Sequence, residues 1–293
     1  MSDVEHLYAI SDLHVGYKDN QRLLEQLRPS SPRDWLIVAG DVADLFGQVI
    51  ETLSLLRSRF ARVIWAPGNH ELWTVPSDPV QLRGVQRYEA LVAACREIGV
   101  DTPEDDYPLW TGPGGPALIA PLFVLYDYSF LAPGAENAEQ SLAMAYEQGI
   151  VCVDEKFLYP EPYQGRADWC RARVAYTESR LAATDPALPT VLVNHFPLRR
   201  EPTDMLYFPV FAQWCGTTAT HDWHLRFRAA ACIYGHLHIP RETHYDGIRF
   251  EEVSIGYPRE WKARPQPPRL LRPVFPSQLA SQIAPHADAG PPV

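Results

Sequence analysis

Leu7-Tyr8-Ala9-Ile10-Ser11-Asp12-Leu13-His14 decides the fold. A short apolar, β-prone run stops at a carboxylate and an imidazole two positions apart, which reads as a buried strand carrying metal-ligand chemistry at its end. The same arrangement recurs down the chain. Leu36 to Ala39 leads into Gly40-Asp41, Val63 to Ala66 into Gly68-Asn69-His70-Glu71, Thr190 to Val193 into Asn194-His195, and Ala230 to Tyr234 into Gly235-His236-Leu237-His238. In open α/β sheets the ligand crevice lies beyond the carboxyl ends of the strands, so residues far apart in sequence can converge there. A single Asp-x-His carries little weight, because a strand-end Asp often caps a turn and a His often sits satisfied in a core. Five such segments in order predict one site with enough nitrogen and oxygen donors for two adjacent metal ions. Imidazole and carboxylate donors suit Mn, Fe or Zn better than Ca or Mg.

The surrounding composition is that of an ordinary soluble domain. The chain has 293 residues, 46% hydrophobic and 21% charged, and a formal net charge of −10, which disfavours nucleic acid as a partner. Its longest apolar stretch, Pro116 to Tyr126, is broken by Pro121 and falls short of the ~20 residues a membrane span requires, so no membrane association is expected. The opening residues Met1 to His6 lack a basic and apolar leader, and the five cysteines show no Cys-x-x-Cys spacing. Both point to a cytoplasmic protein with reduced, buried thiols.

Further along, Asn20 is placed to cap a helix through Arg28 and Asp44 a second one to about Arg59, giving β-α-β-α-β by residue 66. Leu82, Val85, Leu91, Val92, Cys95 and Ile98 predict a third helix, and strands are expected near Pro116 to Ala120 and Leu122 to Tyr126. Residues 127–165, with Pro133, Gly134, Pro160, Pro162 and Gly165, read as an irregular insertion. A helix from Arg166 to Ala183 follows, and Asp246-Gly247 marks a hairpin within Glu242 to Ser254. Residues 1–260 are expected to form the domain, with 261–293 a Pro-rich, locally basic tail that is mobile or draped on the surface.

Asp-x-His, Gly-Asp, Gly-Asn-His-Glu, a lone His and Gly-His-x-His, in this order over residues 7–240, resemble the calcineurin-like metallophosphoesterase superfamily. The resemblance implies a four-layer α/β/β/α sandwich with two mixed β-sheets. It implies that Asp12, His14, Asp41 and His238 hold one metal and Asp41, Asn69, His195 and His236 the other, with Asp41 as the bridge. Two cations sharing a carboxylate stand ~3.5 to 4 Å apart and lower the pKa of bound water toward about 7, which supplies a hydroxide nucleophile. His70, beside Asn69 but outside both ligand sets, is placed as general acid, and Glu71 as a supporting residue.

Gly40-Asp41-Val42-Ala43-Asp44-Leu45 has Leu45 where protein Ser/Thr phosphatases of the superfamily place a phosphate-clamping Arg, which argues against that activity. Ser11 to Gly16, Leu125 to Phe130, Val193 to Leu198, Tyr234 to Pro240 and Gly256 to Trp261 instead look like actinobacterial metallophosphoesterases that remove 4′-phosphopantetheine from acyl or peptidyl carrier proteins. That resemblance implies a phosphodiesterase acting on a carrier protein. Tyr126, Tyr128 and Phe130 at the insertion, with the aromatic segment Tyr207, Phe208, Phe211 and Trp214, are the candidate walls of a channel for the prosthetic arm, and Arg199 and Arg200, with Arg241 and the tail cations, the candidate docking patch for an acidic carrier. The competing readings are a small-molecule phosphatase or cyclic-nucleotide phosphodiesterase on the same metals, and a scaffold that has lost catalysis.

Overall fold

Ten strands and nine α-helices build two sheets packed face to face with helices outside, in a computed structural model that describes residues 4–276. The strands are β1 (Leu7–Ile10), β2 (Trp35–Val38), β3 (Arg62–Trp65), β4 (Leu109–Trp110), β5 (Ala117–Pro121), β6 (Thr190–Val193), β7 (Ala229–Tyr234), β8 (Arg241–Tyr245), β9 (Ile248–Glu252) and β10 (Arg272–Phe275). The helices are α1 (Lys18–Gln26), α2 (Phe46–Arg57), α3 (Asn69–Leu72), α4 (Gly84–Glu97), α5 (Ala138–Glu147), α6 (Asp154–Phe157), α7 (Arg166–Ala182), α8 (Trp223–Arg226) and α9 (Pro258–Trp261).

One sheet has the order β10-β1-β2-β3 and the other β4-β5-β6-β7-β9-β8. Both are mixed. β1, β2 and β3 run parallel, as do β5, β6, β7 and β9, while β10, β4 and β8 are antiparallel at the edges. Alternation sorts the side chains between layers. Ile37 and Ala39 of the β2 segment, Val191 and Val193 of β6, and Ala231 and Ile233 of β7 meet in a core between the sheets. Leu36, Val38, Leu192 and Cys232 face the other way, into the helix-covered core that also takes Val49 and Leu53 of α2 and Trp169 and Leu181 of α7. Burial on both faces explains why these strands read as continuous apolar runs. The expected four layers are present.

Several local expectations change. Asn20 lies inside α1, where its amide donates to the carbonyls of Leu13 and Gly256 at 2.8 and 3.0 Å. Asp44 does not cap α2, since Asp78 accepts the Phe46 N–H instead, at 2.9 Å. Only one of the two strands expected near 116–126 forms. Leu122 to Tyr126 is non-strand, and the Asn194 side chain pairs with both backbone groups of Val124, at 3.0 and 3.1 Å, in place of a neighbouring strand. The insertion at 127–165 carries α5 and α6 and is not irregular throughout.

The largest correction concerns the C-terminal region. Residue 260 is no domain boundary. The chain forms α9, then returns as β10 along β1 with Val274 fully buried, so Arg272 to Phe275 completes the first sheet. Prolines lowered the strand signal, yet β10 is an edge strand, where a missing N–H is tolerated. The tail cations are also committed: Lys262 pairs with Asp19, Arg264 donates to the His238 carbonyl at 3.0 Å, and Arg272 bonds Glu251 at 2.9 Å. The remainder of the expected tail, 277–293, lies outside the described residues. Cys95, Cys152, Cys170, Cys215 and Cys232 are all buried and free of disulfides. No helix among the described residues is long and apolar enough to cross a membrane.

Candidate metal centre

All seven residues read as metal ligands come together at the carboxyl ends of β1, β2, β3, β6 and β7, drawing on both sheets. Asp12, His14, Asp41, Asn69 and His195 are buried, and the rings of His236 and His238 close the cluster from the β7 end. Asp12, His14, Asp41, His236 and His238 all have positive φ, between 41° and 69°. A non-glycine residue there costs on the order of 1–3 kcal/mol, and such strain concentrates where function needs a particular side-chain direction. The adjoining glycines allow the close approach. A Cβ on Gly68 would stand 2.1 Å from Asp41 Oδ1, and one on Gly235 would stand 2.3 Å from Asp12 Oδ2.

The donor atoms form three overlapping groups, one of which joins His70 to His14 and Asp41; the other two contain only residues read as ligands. Asp12, His14 and His238 make the first: His14 Nε2 and His238 Nε2 are 3.2 Å apart, and His238 Nε2 is 2.9 Å from Asp12 Oδ1. Two nitrogens bound to one ion at ~2.1 Å and about a right angle stand ~3 Å apart, so this spacing suits a shared cation. Asp12, Asp41 and His195 make the second, where His195 Nε2 lies 3.1 Å from Asn69 Oδ1 and 3.4 Å from Asp41 Oδ2. Asp41 Oδ2 is also 3.9 Å from His14 Nε2, so one carboxylate oxygen faces both groups. His236 meets His195 edge to face with ring centroids 5.1 Å apart, and its buried Nε2 has no hydrogen-bond partner among the described residues. An orphaned buried nitrogen facing carboxylates and imidazoles is what a metal ligand looks like without its ion. The donor set and the spacing fit divalent metal.

Supporting residues fix the orientation of each ligand. His195 Nδ1 donates to the Ala39 carbonyl at 2.9 Å and His238 Nδ1 to Glu260 Oε2 at 2.7 Å, which leaves Nε2 of each ring facing the cluster. Asp12 Oδ2 is held by the Ser11 hydroxyl and, at 2.7 Å, by Ser254. Glu71 accepts the N–H groups of Asp41, Val42 and Gly68, each at 3.0 Å, and so ties two of the ligand loops together, in keeping with its expected supporting role. Of these partners, Glu260 and Ser254 went unnoticed in the sequence, since neither adjoins a ligand in the chain.

The charges are those of a cation site. Burial and the neighbouring imidazoles push His14 and His236 down to about 3, so both are neutral. Burial would do the same to His195, but Asp41 outweighs it and holds the ring up at about 10. His238 is likewise raised by Asp12 and Glu260 against burial. Asp41 is well below the usual carboxylate range, because the imidazoles around it overcome its desolvation. Two buried carboxylates thus demand positive charge, which protons supply when nothing else does.

His70 sits at the rim of the cluster. Its Nδ1 bonds Asp44 Oδ1 at 2.7 Å, its Nε2 is 3.6 Å from Asp41 Oδ2 and 3.4 Å from the Tyr257 hydroxyl, and its ring packs on Trp73 with centroids 3.6 Å apart. Burial lowers its proton affinity, but Asp41 and Asp44 together prevail and raise it.

The cleft above the metal cluster has a volume of about 250 Å³ and is walled by Trp73, Val151, Cys152, Val153, Leu206, Phe211, Leu237 and Tyr257. Tyr126, Tyr128, Tyr207, Arg199 and Arg200, all read as substrate contacts, do not line it. Tyr126 is fully buried, and Tyr128 is bonded to Glu155 and Arg166. Arg199 is consumed by Glu201 and Asp246, and Arg200 by Asp204 at 2.8 Å and the Leu131 carbonyl. Tyr207 is exposed, one residue beyond the wall residue Leu206. Phe211 of the aromatic segment does line the cleft, beside Leu206 and Val151 to Val153 of the insertion, but sequence could not tell which other side chains turn inward.

Comparison with known proteins agrees with this architecture. The chain is 57% identical over 270 residues to the acyl-carrier-protein phosphodiesterase PptH of Mycobacterium tuberculosis, covering 92% of this chain and 83% of that protein. The crystal structure of the phosphopantetheinyl hydrolase PptH from the same organism superposes with a TM-score of 0.93 at 55% identity, covering 97% of this chain and all of that one. A symmetrical bis(5′-nucleosyl)-tetraphosphatase of Xylella fastidiosa is 39% identical over only 66 residues, 22% of each chain. The pattern of the calcineurin-like phosphoesterases matches residues 6–240. With that match spanning most of the chain and the His/Asp cluster in place, this protein belongs to the calcineurin-like phosphoesterase family and is a metal-dependent phosphoric ester hydrolase.

Proposed function

We propose that this enzyme hydrolyses the phosphodiester joining 4′-phosphopantetheine to a serine of an acyl or peptidyl carrier protein. Water is consumed, the bond between phosphorus and the serine oxygen breaks, and the products are the apo carrier and 4′-phosphopantetheine. The observation that carries this reading is the 57% identity, over 92% of the chain, to a protein named for that reaction. The cleft supports it. A cleft of about 250 Å³ lined by Asp41, Asn69, His70, His236 and His238 has room for the phosphoester linkage against the donor groups.

In this reading Asp12, His14, Asp41 and His238 hold one ion and Asp41, Asn69, His195 and His236 the other, with Mn and/or Fe as the occupants and Zn as an alternative. Such ions, when bound, polarise the phosphoryl group and make water nucleophilic near neutral pH. Asp41 Oδ2 faces both donor groups and would be the carboxylate the two ions share. His70 is the general acid. Asp44 accepts its Nδ1 proton and so fixes the ring, leaving Nε2 directed at the cleft to protonate the departing serine oxygen.

Mass spectrometry of a holo carrier protein incubated with the enzyme and Mn²⁺ or Fe²⁺ tests the substrate. Loss of the phosphopantetheine mass is expected. An intact holo carrier, with free or cyclic nucleotides turned over instead, would replace this reading with a small-molecule one.

A further inference from the structure

The insertion reaches into the metal cluster through one carboxylate. Asp154, the first residue of α6, is fully buried, and its Oδ1 accepts the Asn69 amide N–H at 2.8 Å and the Trp73 indole N–H at 2.6 Å. Oδ1 already accepts the Trp73 indole and serves as an acceptor whether or not the carboxyl carries a proton on its other oxygen, so the NH₂ end of Asn69 faces it. The amide carbonyl must then point the opposite way, where Oδ1 lies 3.1 Å from His195 Nε2 among the candidate ligands. Turning the amide over would set two acceptors against each other at Asp154 and present NH₂ to a cation.

The element that carries Asp154 is itself held rigid. Arg166 donates to the Asp154 carbonyl at 2.7 Å and to Glu155 Oε2 at 2.8 Å, while Glu155 Oε1 accepts the Trp214 indole and the Tyr128 hydroxyl, each at 2.9 Å. The Thr74 N–H bonds the Phe157 carbonyl at 2.9 Å, so the chain after Asn69 is tied to the same helix. Val151, Cys152 and Val153, which line the cleft, immediately precede Asp154. Cleft wall and candidate ligand therefore share one anchor.

We infer that Asp154 is a positioning residue: its buried carboxylate directs the Asn69 carbonyl toward the metal side and keeps the wall at 151–153 in register with that ligand. The inference rests on the reading of Asn69 as a ligand given above, and it assigns the insertion a share in building the metal centre as well as the cleft.

Calorimetric titration of metal-stripped protein with Mn²⁺ tests it independently of turnover. Asp154→Ala is expected to weaken one of the two Mn²⁺ sites by ~10- to 100-fold and leave the other unchanged. Asp154→Asn, which keeps an acceptor oxygen for Asn69 and Trp73, is expected to restore most of that affinity. Asn69→Ala serves as the control. If it leaves both sites at parental affinity, the ligand reading fails; if it abolishes one site while Asp154→Ala retains both, only the positioning role is overturned. Should Asp154→Ala fail to fold, the exchange decides. Asn69→Asp alone sets two carboxylates face to face and is expected to lose one site, and adding Asp154→Asn, which supplies a donor, is expected to recover it. No recovery would overturn the inference.

Discussion

Asp41 carries the most demanding position in the molecule. Its Oδ1 accepts the His70 N–H at 3.0 Å while its Oδ2 faces His14, His195 and His70, so neither oxygen is spare. Asp41→Asn keeps the shape but removes the charge that both donor groups share. It is expected to lower metal content at both sites, read by elemental analysis, and to abolish turnover. His70→Ala is a contrasting case, because the ring touches the cluster edge but anchors to Asp44. That variant is expected to retain parental metal content and lose ~10²-fold or more in kcat; equal metal loss in both variants would move His70 into the ligand set. At this scale the candidate ligands were legible because all seven follow the ends of five strands and are unusual residue types for that place. Glu260, Asp44 and Asp154 were not, because a carboxylate that acts through another side chain is indistinguishable in sequence from a solvated one. Tyr126 shows the converse failure: its position beside the site in the chain gave no sign that the ring points into the core.

Among the elements, the parallel strands were readable because burial on both faces leaves a continuous apolar run, whereas the edges were not. β10 contains Pro273 and follows a Pro-rich stretch, so composition argued for a loose tail. Its packing argues otherwise. Val274 is fully buried in the core between the sheets, and its carbonyl accepts a hydrogen bond from Arg249 of β9 at 2.7 Å, so β10 fastens the two sheets together. Val274→Asp would bury a charge with no partner, at a cost of about 3–5 kcal/mol. A melting temperature lower by on the order of 10 °C is expected, with any residual activity at low temperature retained. A silent substitution would return this segment to the surface. The helix caps failed for a related reason: Asn20 and Asp44 are good caps locally, but tertiary partners claimed both side chains first.

Across the whole molecule, the metal centre lies where two sheets meet, so anything that fixes their relative position also protects the site. One such tie is electrostatic. Glu104 leaves the loop after β3 and α4 and accepts hydrogen bonds from Tyr88 of α4 at 2.6 Å, Arg173 of α7 at 2.7 Å and Tyr176 of α7 at 2.6 Å. It joins a helix over the first sheet to one over the second. Burial resists its ionisation, but Arg173 and the two tyrosine hydroxyls overcome this and hold its carboxyl below the ordinary glutamate value. A carboxyl whose pKa is lower folded than unfolded adds stability that is complete above the unfolded value, ~4.3, and disappears as the pH falls through the folded one. Glu104→Gln keeps the shape and removes the charge. The parent is therefore expected to exceed Glu104→Gln in stability by about 1.5–3 kcal/mol at pH 7, the range for hydrogen bonds to a charged group. Denaturant titrations at a series of pH values should show the gap constant from pH 7 to about 5 and closing below ~4 as both forms become neutral at this position. A gap that stays level through pH 3 would mean that shape and packing, not the charge of Glu104, hold these helices to one another.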